Sequence, residues 1–535
     1  MKLIYIYLAI FLMFISCNDD KGNYDYTLLN RVTIGEFGFY GMNTSLGDTI
    51  TYSPELTFSG DTTSDNFDFE WVLFDTKKIK SRDLFYIVDT IASGIILLRV
   101  TDKKTGAAYT QHTTLTTKSP YETNGFVILS RGAGNESILS YFRESYNSNY
   151  NKTETNYNTY KEYFNVYEDI NKEALGKDPI RVMQHFHEDD YNHDSETGNF
   201  WILQGNNNSV DVSGVSFEKD VLLKDQFLDG VPAGFEPYDI VDMRWGTFVI
   251  GKDGKMYSRK KSSQFLFNSG YFLSEPVTFE ENGHTYEVNG LGVVHHRYAG
   301  LGYTLLYEKN LNRFLLIMDS DQQSAGKIAT PFVPNDAYES EDVARINNLG
   351  NMKMIHCGAY KSNTANIGFY AILQDPDGIF YSYDFGMNTT IYGGEAAIST
   401  VKQKVLPDAT QQTLSSIIGN GKNIFNTGYT DASAYGVKQL IGYVLITRNN
   451  ELWLLNRATG TITLYDTFEA DITAIDSEIY NAWFAGIGLA NGKFYVEEIS
   501  APAFTNEIPR RMFSFKESFG EEIISVKYKN GKDWM

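Results

Sequence analysis

Three histidines and a run of oxygen-bearing side chains crowd one short stretch: His185, His187 and His193 stand among Glu188, Asp189, Asp190, Asn192, Asp194 and Glu196. Asp190, Asn192, Asp194 and Glu196 occupy alternate positions, the spacing with which half of a calcium loop offers oxygens to a hard cation. His185 and His187 are also two apart, so on a strand both imidazoles leave the same face, as zinc ligation requires. The candidate metal ligands are therefore His185, His187, Asp190, Asn192, Asp194 and Glu196, for calcium or zinc. Neither set is complete, and the competing reading is a solvated acidic loop in a protein that needs no cofactor.

Other chemistry is sparse. The stretch His187-Glu188-Asp189-Asp190-Tyr191 has Tyr where a zinc-protease motif needs its second His. Gly290-Leu291-Gly292 lacks the third glycine of a dinucleotide loop, and neither a nucleophile elbow nor a phosphate loop is present. Acidic pairs are too numerous for a glycosidase dyad to be named, because their separation in space decides that question. No catalytic residue is assigned. His295-His296 reads as structural, and Cys357, inside the apolar run Met354-Ile355-His356-Cys357-Gly358, as a buried inert thiol.

A different chemistry, recognition, is suggested by Tyr141, Tyr146, Tyr150, Tyr157, Tyr160, Tyr163 and Tyr167, spread among Asn, Thr, Lys and Glu. Residues 145–159 read as a long polar loop, and long loops in compact domains are often functional. Tyrosine offers flat apolar area and a hydroxyl at little entropic cost, which suits contact with sugars or peptides. Tyr146, Tyr150, Tyr157 and Tyr160 are the candidate ligand-binding residues; the alternative is a loop folded against its own sheet.

These segments need a scaffold, and composition points to β-structure. The 535 residues include 37 Tyr and 35 Phe but only 12 Pro, and aromatic residues favour strands. A formal net charge of −21 argues against nucleic acid as a partner, since phosphate contacts need clustered Lys and Arg; the run Arg259-Lys260-Lys261 is short and isolated. At the start, Lys2 precedes an apolar run over residues 3–15, then Ser16 and Cys17. That run is too short for a bilayer core, which takes about 20 residues, and its order is that of a signal peptide. Phe14-Ile15-Ser16-Cys17 resembles a relaxed bacterial lipobox, which makes Cys17 the acylated residue; an ordinary secretory peptide with an incidental Cys is the alternative. With Cys17 acylated, Cys357 has no partner in the chain and disulfides are excluded.

The rest is too long for one core. Residues 18–26 read as a polar tether and 27–118 as an Ig-like β-sandwich with strands at 31–39, 49–58, 67–74, 94–102 and 108–117. Phe67, Phe69, Trp71 and Leu73 alternate along the third strand, so one face is buried. Trp71 is expected to fill the core rather than serve as an exposed platform. The stretch 119–125 reads as the boundary. Beyond it seven hairpins recur, each two apolar strands joined by Asp, Asn or Gly: 126–129 with 138–142, 200–203 with 210–212, 248–250 with 256–257, 304–307 with 314–318, 369–373 with 379–383, 443–446 with 452–455, and 487–489 with 494–496. Such turns tolerate the positive φ of a tight hairpin, and the repetition suggests propeller blades. The expected fold class is all-β: the sandwich, then a seven-bladed β-propeller over 125–535, with residues 523–527 closing the ring. A second large sandwich or an irregular β-repeat is the alternative.

Asp20-Lys21-Gly22-Asn23-Tyr24-Asp25-Tyr26, directly after the lipobox and before the Ig-like region, resembles the opening of the PKD-like lipoproteins of Bacteroidetes. That resemblance implies a surface-exposed outer-membrane lipoprotein accessory to a SusC/SusD-type nutrient uptake system. Its implied partners are the SusC/SusD-like transporter, a glycan or peptide ligand, and the outer membrane through the lipid; Asp19-Asp20 resembles the matching surface-export tag. No catalytic residue follows from it, and a propeller hydrolase or lyase acting on glycans is the alternative. Replacing Cys17 by Ala is expected to abolish acylation and release the protein from membranes; a variant that still fractionates with the outer membrane after a high-salt wash would show a different anchor.

Overall fold

The computed structural model describes residues 29–37, 41–60, 62–146, 158–185, 198–263, 266–295, 302–362, 366–388, 397–419, 422–428, 442–477, 484–507, 509–514 and 518–529. The chain divides into two compact units, Met1–Pro120 and Tyr121–Met535.

The first unit is a sandwich around one core. A five-stranded sheet runs in the order Met42–Ser45, Ala108–Lys118, Ser93–Asp102, Phe67–Leu73, Lys77–Ile79, and two strand pairs, Val32–Ile34 with Leu56–Phe58 and Thr49–Tyr52 with Leu84–Ile87, share its core. Trp71 is fully buried, packs against the rings of Phe37 (5.8 Å) and Tyr52 (6.0 Å), and donates its indole N–H to Arg82 O at 3.2 Å. It is a core residue, not a platform. The strand expected over 49–58 is instead two strands with different partners. Pro54 lies between them and has no N–H for a ladder. The expected strand 31–39 shortens to Val32–Ile34, and three short strands, Met42–Ser45, Lys77–Ile79 and Leu84–Ile87, carry too few residues for a readable period.

The second unit is a seven-bladed propeller. Each blade is an antiparallel sheet whose innermost strand is, in order around the ring, Glu522–Lys529, Pro179–His185, Pro237–Asp242, Val293–Val294, Lys353–Ser362, Phe425–Thr427 and Ile472–Ser477. All seven expected hairpins form. Their turns have Asn or Gly where φ is positive: Asn206 and Asn207 (57° each), Asn312 (49°), Asn449 (52°) and Gly492 (77°) among them. At Gly492 a Cβ would also lie 2.1 Å from Gly520 O, so the position is closed to side chains on two counts. Blade three is the irregular one; beyond Met256–Lys260 its fourth position is held by a single bridge, Arg259 with Phe272.

Closure is physical at every seam. Glu522–Lys529 pairs with Gly125–Arg131 from Gly125↔Lys529 to Arg131↔Glu522, so blade one is built from both ends of the unit. One hydrophobic cluster fills each of the seven gaps between neighbouring blades. Alternate residues of one strand serve two seams: Val127 and Leu129 face blade two, while Phe126 and Ile128 face blade seven. Such a sheet has no polar face, which is why the second strands read as unbroken apolar runs.

Ile523 is fully buried in the closing seam. Ile523→Ala is expected to cost about 2–5 kcal/mol by urea unfolding, whereas Val405→Ala, at an exposed position, should cost under about 0.5 kcal/mol. Equal effects would mean that the last strand does not close the ring.

Candidate functional site

The blades leave a central channel of about 660 Å³, and all seven innermost strands contribute to its wall. Four antiparallel strands return the chain to the end of the ring where the blade began, so these strands run in one direction. Cross-seam contacts agree: Arg181 meets Asp239 and, further along both strands, His185 meets Asp242.

Blades five and six give an apolar or neutral wall that includes Cys357, Ala359, Ile424 and Phe425. Burial pushes the Cys357 thiol well above its ordinary range, so it is not a nucleophile at neutral pH. Blades seven, one, two, three and four carry the charges. Lys527 Nζ lies 3.2 Å from Asp476 Oδ2, which also accepts Tyr528 N–H at 2.7 Å. Asp239 Oδ2 takes Arg181 Nη1 at 2.5 Å and His295 Nε2 at 2.9 Å, while its Oδ1 accepts Ile240 N–H. Burial would raise the Asp239 carboxyl, but His295 and Arg181 outweigh it and hold it well below the carboxylate range.

At the far ends of the strands in blades two and three sits a buried polar cluster, of which His185 and Asp242 line the channel. His185, almost fully buried, has Nε2 2.8 Å from Asp211 Oδ1, and its ring stacks on Trp201. Its Nδ1 is 3.6 Å from Asp242 Oδ2, beyond hydrogen-bond reach, so Asp242 acts through charge. Asn199 and Asn268 amides donate to Asp211 Oδ2 at 3.0 and 2.6 Å. Asp242 in turn accepts Lys261 Nζ at 2.7 Å and the Thr247 hydroxyl. Arg259, wholly buried against the Phe272 ring, donates to Thr247 Oγ1 at 3.1 Å and Gln226 Oε1 at 3.2 Å. Asp319 accepts Trp245 N–H through Oδ2, yet among the described residues its buried Oδ1 has no partner; burial raises this carboxyl well above its usual range. The imidazole is thus a cation: burial alone would lower its pKa, but Asp211 first and Asp242 second raise it to about 9. A cation pinned between two carboxylates cannot take up a proton at neutral pH.

Of the candidate residues, His185 is therefore bound to Asp211, while His187, Asp190, Asn192, Asp194 and Glu196 lie outside the described residues. Cys17, Tyr150 and Tyr157 also lie outside them. The polar loop is shorter than expected, because strand pairing continues to Tyr146↔Asn158 and includes Glu144↔Tyr160. Tyr146 and Tyr160 thus belong to paired strands. Among the described residues no group of three His, Cys, Asp or Glu is placed to hold a metal. Reading the sequence for motifs missed Arg181, Asp211, Asp239, Asp242, Asp476 and Lys527. The signal was a single charge embedded in an apolar strand, as in Val210-Asp211-Val212 or Ser525-Val526-Lys527. Likewise Arg259-Lys260-Lys261 is not a surface run: Arg259 and Lys261 are fully buried and only Lys260 is exposed.

The profile of the PKD-like family matches residues 17–179, which takes in the sandwich and the first three strands of the propeller. No curated protein matches the chain in sequence. Solved structures with a similar arrangement include a quinonprotein alcohol dehydrogenase-like protein from Bacteroides thetaiotaomicron, with 10% identity, 94% of this chain and 100% of that one covered, and a TM-score of 0.37. AztD from Citrobacter koseri has 11% identity, covers 82% of this chain and 96% of its own, and scores 0.33. The Cps50 (Swd1) β-propeller domain from Myceliophteria thermophila has 11% identity over 54% of this chain and 73% of its own, and scores 0.30. The propeller assignment stands on the strand pairing itself.

Linkage makes the His185 cluster testable. A histidine raised from 6.5 to about 9 contributes stability that is whole below pH 6.5 and is lost as pH rises through about 9. Glu497, which burial and then Asp466 push up to about 8, lowers stability over an overlapping range. The difference between two chains is therefore diagnostic: His185→Gln is expected to flatten the fall in melting temperature between pH 6.5 and 9. Parallel curves would mean that the imidazole is not charged in the fold.

Proposed function

We propose that this chain is a non-catalytic lipoprotein of the outer membrane, exposed at the cell surface, which assists a SusC/SusD-type uptake system by binding a glycan or peptide ligand or the transporter. One observation carries the non-catalytic part: every carboxylate and imidazole on the described channel wall is engaged by a partner across a seam or within its blade. General acid–base chemistry needs such groups within reach of substrate and free to exchange a proton. The lipobox around Cys17, the acidic Asp19-Asp20 and the PKD-like match support the placement, and the channel supplies surface for a ligand.

A second reading has one observation in its favour. Glu497 is buried, with Oε1 3.0 Å from Arg511 Nε and, among the described residues, no hydrogen-bond partner on Oε2; burial first and Asp466 second push its carboxyl up to about 8, against the pull of Arg511. A glycan hydrolase or lyase would use such a group as its acid. Glu497 does not line the channel, so this reading is the weaker one.

Detergent extraction and affinity purification from the native host are expected to recover a SusC/SusD-like transporter, and protease should reach the protein on intact cells. Recovery with full protection from protease would move the protein to the periplasmic face and end the capture role. Turnover of a glycan by the purified chain would favour the enzyme.

A further inference from the structure

We propose that the free edge of the strand Leu84–Ile87, in the first unit, docks an extended strand of a partner protein that carries apolar side chains at alternate positions and a basic residue beside them. This goes beyond the uptake reading, because it assigns a surface to the sandwich rather than a ligand to the channel.

The ladder shows which backbone groups are unspent. Leu84–Ile87 pairs antiparallel with Thr49–Tyr52 and with no other strand, from Thr49↔Ile87 to Tyr52↔Leu84. Along such a pair alternate residues turn both N–H and C=O toward the partner. Val88 is one that does: its N–H donates to Asp48 O and its C=O accepts Gly47 N–H, both at 2.8 Å. Tyr86 and Leu84, two and four residues back, share that orientation. Phe85 and Ile87 therefore turn theirs to the outside, and among the described residues these N–H and C=O groups have no hydrogen-bond partner.

The side chains alternate in step. Leu84 and Tyr86 are in the core, while Phe85 is 63% and Ile87 55% exposed. Unpaired backbone and bare apolar side chains thus fall on the same two residues. Edge strands are ordinarily guarded by charge or proline, because an open apolar edge invites pairing. Other edges of this protein are guarded so: Lys77 and Lys78 stand on Lys77–Ile79, Lys219 and Asp220 on Lys219–Leu222, and Lys402 and Lys404 on Ala397–Val405. Leu84–Ile87 carries neither charge nor proline.

Three kinds of occupant fit a bare edge, and the chemistry here selects one. A lipid surface accepts the two side chains but leaves the N–H and C=O groups unpaired, which apolar surroundings do not tolerate. A second copy, paired about a two-fold axis with Phe85 opposite Ile87, brings Asp83 up to Asp89 of the other copy, and like charges placed opposite each other destabilise a strand pair. Four residues a side also fall far short of the roughly 1,000 Å² that a stable dimer buries. A strand offered by another protein escapes both objections, since its sequence can complement the charges and its remaining contacts can lie elsewhere. Asp89 is already held by Lys77 and by the Tyr86 hydroxyl at 2.7 Å. The exposed Asp83 carboxylate has no partner among the described residues. It stands one residue before the strand, so an antiparallel guest that runs past Phe85 meets it, and the guest reads apolar-x-apolar-x-basic.

The test uses the purified full chain carrying Cys17→Ala, so that no detergent competes for the edge, and fluorescence anisotropy with labelled peptides. The probe is an amidated peptide containing Val-Thr-Val-Thr-Lys; one control has both valines N-methylated, and another has Glu in place of Lys. The probe is expected to bind with a Kd below about 1 mM, and each control about 10-fold or more weakly. N-methylation removes two ladder donors and keeps the side chains. Ile87→Lys should weaken the probe about 10-fold or more without moving the melting temperature, because the position is exposed. Asp83→Lys should reverse the preference between the Lys and Glu peptides. No binding of the probe at about 1 mM, equal binding of the N-methylated peptide, or wild-type affinity in Ile87→Lys overturns the proposal. So does binding to phosphatidylcholine vesicles, or a dimer in sedimentation, that Ile87→Lys abolishes, since the edge then belongs to a lipid surface or to a second copy. None of those results touches recovery of the transporter from the host, so the two readings fail separately.

Discussion

The second unit depends on one constraint: each blade is a single sheet with both faces buried. Neighbouring residues on a strand point to opposite faces, so one strand must satisfy two seams at once, as Phe200 and Ile202 do toward blade one while Trp201 and Leu203 do toward blade three. A blade cannot be stable alone, because either face would be bare. The ring is stable only when the last seam closes, and there Glu522–Lys529 joins Gly125–Arg131 from nearly four hundred residues away in sequence. Unit one solves the opposite problem: its strands alternate buried and exposed, and a single core suffices.

Closure leaves the seams no tolerance for an unpaired charge, and the structure holds several charges there. Burying an isolated ion costs several kcal/mol even after relaxation, so most of them are matched, and Asp319 and Glu497 are instead pushed toward their neutral forms by burial. Asp211 faces His185 and two amides; Asp242 faces Lys261; Arg259 is wrapped by Phe272, Thr247 and Gln226. Pairing of this kind contributes little net stability against an apolar alternative. Its consequence is geometric: the contacts tie blades two, three and four at one end of the channel, where blade three lacks a full fourth strand.

How far the sequence reveals this follows from range. Hairpins are local, and Asn449-Asn450 or Asn491-Gly492 between apolar runs announce them because the turn needs residues that accept positive φ. Seven of them therefore were legible, and with them the blade number. The short strands of unit one were not, since three or four residues such as Lys77–Ile79 carry no measurable period. The channel was not legible either. Arg181, Asp239 and Lys527 come from three blades, and nothing local marks a charge in an apolar strand as the member of a pair. Metal spacing around His185 and His187 looked more informative, yet the structure gives His185 a different partner in Asp211, 26 positions further on.

These pairs also bear on recognition. A long cationic side chain that waves in solvent must be ordered when a ligand arrives, at roughly 0.5–1.5 kcal/mol each. Asp239 and Asp476 already hold Arg181 and Lys527 against the wall, so much of that ordering is complete before binding. The same carboxylates neutralise the cations on average, which limits attraction to any passing anion. A guest gains only where its geometry meets the hydrogen-bonding groups that remain, because proximity alone earns it nothing. The channel thus trades strength of attraction for shape.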